Sequence, residues 1–68
     1  MDRRSFDFIQ DIAITIHINI RELRERKTFA DPEELSYIEG KLQAYSEVLS
    51  AMRSGAREAG IPADELGL

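Results

Sequence analysis

The chain is 68 residues long, with no cysteine, 43% hydrophobic and 32% charged side chains, and a formal charge of -4. One small domain fits this length; such a domain buries only about 60% of its unfolded surface, so its core calls for outside support. The missing cysteines exclude a disulfide framework, a Cys-based zinc knuckle and a thiol nucleophile, which leaves self-association or a protein partner as that support.

The charge is unevenly placed. Residues 1–31 carry six basic and six acidic side chains, whereas residues 32–68 carry three against seven, which accounts for the whole -4. A nucleic-acid binder usually shows a basic excess, so this balance argues against one. No apolar run reaches the roughly 18 to 20 residues of a membrane span, and Asp7, Gln10 and Asp11 interrupt what a secretory leader would need. The expected setting is the cytoplasm.

The first segment admits two readings. Residues 12–20 carry isoleucine at every even position, a period-two, β-branched pattern proper to a strand. The longer window places Phe6, Ile9, Ala13, Ile16, Ile20 and Leu23 at alternating steps of three and four, the seam of a packed helix. Ser5 suits the N-cap, Arg24, Arg26 and Lys27 suit the C-terminal end, and Glu22 stands one turn before Arg26. A strand over 12–20 finds no second strand in this chain and has to pair between subunits, so a helix over about 6–27 is preferred. In that helix Ile14 and Ile18 fall off the seam and Phe8 and Ile12 form a further line, making it apolar on more than one side.

A loop over 28–31 leads to the best-marked helix, about 32–59. Asp31 is the N-cap, Pro32 occupies the first helical position, and Glu34 completes a capping box beside Glu33. Its seam runs Leu35, Ile38, Leu42, Tyr45, Leu49, Met52, Ala56 and Ala59, and a parallel stripe runs Tyr37, Gly40, Ala44, Val48, Ala51 and Gly55. Gly40 and Gly55 each cost roughly 1 kcal/mol of helix propensity, so a close approach by another backbone is expected there. Gly60, Ile61 and Pro62 end the helix. The tail, 60–68, forms at most one turn, with Leu66 and Leu68 capping the end of a bundle.

The fold expected is therefore all-α, a two-helix antiparallel hairpin that closes into a four-helix bundle as a homodimer, or into a tetramer if the off-seam isoleucines are covered too. Ile9, Ile14, Ile16, Ile18, Ile20, Leu35, Leu42 and Leu49 are the expected association residues, toward a second copy or another protein. Chemistry is sparse. His17 has Ala13, Ile14, Ile20 and Arg21 at helical spacing and so no local co-ligand, the serines have no base nearby, and no phosphate loop, Rossmann glycine pattern or EF-hand loop occurs. No enzyme, metal or cofactor is expected. The rival reading is a nucleic-acid-binding regulator. It would touch phosphate through Arg21, Arg24, Arg26 and Lys27, or present Thr15, His17 and Asn19 from an intersubunit ribbon. Such a strand resembles that of ribbon-helix-helix repressors, but only Leu23 to Lys27 separates it from one very long helix, where that family has two helices.

Overall fold

The computed structural model describes residues 2–68 and contains two long helices and one short turn of 3-10 helix. Helix α1 spans Arg3–Lys27, α2 spans Pro32–Glu58, and the 3-10 turn spans Ala63–Leu66. No strand occurs among the described residues, so the strand reading of 12–20 is overturned. The reason lies in the spacing itself. Every second residue includes every fourth, so the even-numbered isoleucines divide on a helix into two lines, Ile12, Ile16 and Ile20 on one and Ile14 and Ile18 on the other. Ile16 and Ile20 of the first line bear on α2 while Ile12 stands beside the seam, and the helix satisfies its own backbone without a partner strand.

α1 begins three residues earlier than Ser5 as N-cap implies. Asp2 has extended backbone, and its Oδ1 accepts the Ser5 N–H at 2.9 Å, so Ser5 lies inside the helix. A carboxylate at this end also meets the positive pole of the helix dipole, which favours it over a hydroxyl. α2 begins as its sequence indicates, with the Glu34 N–H donating to Asp31 Oδ1 at 2.8 Å and Pro32 in the first position. Its end is a Schellman turn. Gly60 adopts φ 72°, its N–H donates to Arg57 O at 3.1 Å, and the Ile61 N–H reaches Ala56 O at 2.8 Å.

The helices pack antiparallel over a thin core. Ala13, Ile16, Ile38, Leu49 and Ala56 are buried between them, joined by Leu66 from the 3-10 turn. Asn19 Nδ2 donates to the Tyr45 hydroxyl at 3.1 Å across the half-buried seam, which fixes the level at which the two helices meet. At the loop end Arg26 forms an ion pair with Glu34, and Lys27 lies 3.7 Å from Glu39. Arg26 therefore pairs across the loop rather than with Glu22 on its own helix. The Glu34 carboxylate holds the Arg26 guanidinium above its ordinary pKa, through the hydrogen bond first and the charge second.

The hairpin is 44 Å long, 19 Å wide and 14 Å thick between Cα positions, with a radius of gyration of 14.2 Å. A compact domain of this length has a radius near about 11 Å. Its accessible surface is 5133 Å², against about 4,400 Å² for a compact protein of its mass. Surface has been left in water that a rounder fold would have covered.

Candidate interaction surface

Two helices side by side form a slab with two broad faces and two edges. At about 100° per residue, Phe8, Ile12, Thr15 and Asn19 line one flank of α1, and Lys41, Ala44, Val48, Ala51 and Gly55 line one flank of α2. Because the helices run in opposite directions, both flanks turn to the same broad face. That face is bare and apolar over its central and open-end portions: Phe8 is 65% exposed, Val48 46% and Ile12 39%. Between Asp11 and Glu22 on α1, and between Lys41 and Glu58 on α2, the residues turned to this side carry no charge.

The bare face also has relief. Near the open end of the hairpin an apolar cavity of about 390 Å³ lies between Ile9, Met52, Gly55, Ala59 and the tail residues Ile61, Leu66 and Leu68. A Cβ built on Gly55 would meet nothing within 4 Å, so no contact among the described residues accounts for a glycine there.

The opposite broad face is covered and polar. The 3-10 turn folds across its open end with Leu66 buried beneath it. Gln10 Nε2 donates to Glu65 O at 3.4 Å, His17 Nε2 lies 3.1 Å from Gly67 O, and Arg53 Nη2 donates to Leu68 O at 3.3 Å. The carbonyl can only accept, so His17 meets it as the tautomer protonated at Nε2. Gly67 has φ 79°, and a Cβ there would lie 3.8 Å from both Ala13 and Gln10. Beyond the tail, His17, Arg24, Ser46 and Arg53 line a recess of about 270 Å³ over Leu42 and Leu49.

The expected association residues thus fall into two sets. Ile16 and Leu49 are buried and Ile9, Ile20, Leu35 and Leu42 half-buried in the seam of one hairpin, where they hold α1 to α2. Ile14 and Ile18 are exposed on the back of α1, away from α2. Phe8, Ile12 and Val48 are the large residues of the central and open-end parts of the bare face, with Tyr37, 64% exposed, toward the loop. Their two lines are visible in the sequence as repeats of three and four; that they meet on one side follows only from the antiparallel pairing. Phe29, in the loop, is 84% exposed and belongs to neither face.

The four cations near the end of α1 do not form one surface. Arg26 and Lys27 face carboxylates of α2, Arg24 lines the recess with His17, and Arg21 stands toward the back of α1. Among the described residues no group of three or more His, Asp or Glu is placed to hold a metal ion, and no helix is long and apolar enough to cross a membrane. No protein-family model, curated protein or solved structure matches the chain.

Proposed function

We propose that this chain is a small, non-enzymatic protein–protein interaction module of the cytoplasm that acts as a homo-oligomer, two hairpins closing through their bare faces into a four-helix bundle. The observation that carries the reading is the asymmetry of the slab: one broad face is sealed by the tail and by polar side chains, while the other leaves Phe8, Ile12 and Val48 in water. The areas support it. The 44 × 19 Å outline of the hairpin gives each broad face, charged loop end included, a footprint on the order of 800 Å², room for what a stable interface buries on each partner. Isolated exposed apolar residues need no explanation, but Phe8, Ile12 and Val48 gathered on one side mark a contact site.

Sedimentation equilibrium over a wide concentration range tests the reading. The expected result is a dimer whose dissociation constant rises at least about 100-fold on Ile12→Asp with Val48→Asp, since each carboxylate would be desolvated without a partner. Far-UV circular dichroism should retain the helical signal in that variant, because both positions lie outside the seam. A fully folded monomer at every concentration would refute self-association. A barely folded monomer would instead make a different protein the partner of this face.

A further inference from the structure

Accepting that the bare face is the one that associates, its residue pattern also selects how the second copy sits. Two two-fold axes lie in the plane of the face, one parallel to the helices and one perpendicular to them. Either axis makes every neighbouring pair of helices antiparallel, so helix dipoles do not choose between them. The distribution of side chains does.

The face is graded along its length. Toward the open end it presents Phe8 and Ile12 from α1 and Ala51 and Gly55 from α2; toward the loop it presents Glu22 from α1 and Lys41 beside Tyr37 from α2. An axis parallel to the helices keeps every residue at its own level, so α1 of one copy lies on α2 of the other with the pairing that the Asn19–Tyr45 bond sets within each hairpin. Phe8 then meets Gly55, Ile12 meets Ala51, Thr15 meets Val48, and Glu22 meets Lys41. Large side chains fall on small ones, and the charges that meet are opposite. The perpendicular axis turns one copy end over end and sets Phe8 against Glu22, desolvating a carboxylate against an aromatic ring.

We propose that two copies associate about a two-fold axis parallel to the helices, loops at the same end, with Phe8 of each copy seated over Gly55 at the mouth of the other's apolar cavity. The cavity supplies a hole of about 390 Å³ and the helix beside it lacks a Cβ at that point. The 65% exposed ring of Phe8 supplies the knob. Within one hairpin the ion pairs among the described residues are Arg26–Glu34 and Lys27–Glu39. Lys41 lies over the Tyr37 ring, 5.3 Å from its centroid, a contact that leaves its charge without a carboxylate and open to Glu22 of the second copy.

The chain has no cysteine, so single-cysteine variants report contacts cleanly. Thr15→Cys and Val48→Cys, mixed as full-length proteins under oxidised glutathione, should give the mixed disulfide dimer, with little product from either variant alone. Predominant Thr15→Cys self-dimers would establish the perpendicular axis and overturn the proposal. A dimer by sedimentation that cross-links in no combination would overturn it too, while leaving self-association standing through another surface. A monomer by sedimentation would overturn both readings. A charge exchange supplies an independent measure: Glu22→Lys and Lys41→Glu should each weaken the dimer about fivefold to tenfold, and the double variant should recover it. Additive weakening in the double variant would overturn the pairing.

Discussion

The two broad faces of the hairpin are built from the same helices and end in opposite states. On one, nine residues of tail return across the open end, bury Leu66 and bond to Gln10, His17 and Arg53. On the other, the described residues leave Phe8, Ile12 and Val48 open to water. The difference shows how a chain of 68 residues divides its apolar surface between folding and contact. Two helices can bury only the strip where they touch, and the short tail suffices for part of one side. What remains is concentrated on the second side, where it forms one continuous patch.

That contrast can be broken most severely from the covered side. Leu66→Ala should cost about 2–5 kcal/mol of stability, since it removes a buried side chain from a core with few others to close the gap. Urea denaturation at a concentration where the wild type is monomeric would show it as a lower midpoint. An unchanged midpoint would mean that the tail does not seal this face.

A smaller effect separates two glycines of α2 that are alike in open space and unlike in position. Gly40→Ala and Gly55→Ala should each gain up to about 1 kcal/mol of monomer stability, because neither new methyl meets anything within 4 Å inside the hairpin. Their effects on association should diverge: Gly40 lies toward the loop, far from the apolar cavity, so its variant should dimerise nearly as before, whereas Gly55→Ala, at the mouth of that cavity, should dimerise several-fold more weakly. Equal behaviour of the two in sedimentation would erase the distinction between the cavity end and the loop end of the bare face.

The smallest expected effect sharpens the comparison by exclusion. Ile14 and Ile18 lie on the back of α1, on neither broad face, so Ile14→Lys with Ile18→Lys should leave stability within about 0.5 kcal/mol and the dimer intact. Loss of any larger assembly in that variant would assign these two residues to a further contact. Loss of the dimer itself would show that the edge, not the face, carries association.

Much of the hairpin is legible in the sequence. Asp31, Pro32 and Glu34 open α2 and Gly60, Ile61 and Pro62 close it, because capping chemistry is local and acts within a few residues. The seam of α2 is equally plain, since its steps of three and four have no competing period. The start of α1 is less so. Asp2 and Ser5 both carry a capping oxygen, and only the helix geometry shows the Ser5 N–H bonded to Asp2. Over residues 12–20 two periods coincide on the same isoleucines, and the local pattern alone favours a strand. The bare face was present as two separate lines, Phe8 with Ile12 and Val48 with its small neighbours, but no rule of sequence spacing joins residues some forty positions apart.

The sequence by itself determined where each helix starts and stops to within a few residues, and which stripe of each is apolar, because hydrogen-bond capping and helical repeat are short-range properties. Only the tertiary structure decided that residues 12–20 are helical in their entirety, that Arg26 pairs with Glu34 rather than Glu22, and that the tail closes one face while the other stays open. Those outcomes depend on which side of one helix meets which side of the other. That choice is set by the antiparallel packing of the whole chain, where burial of the seam outweighs every local preference.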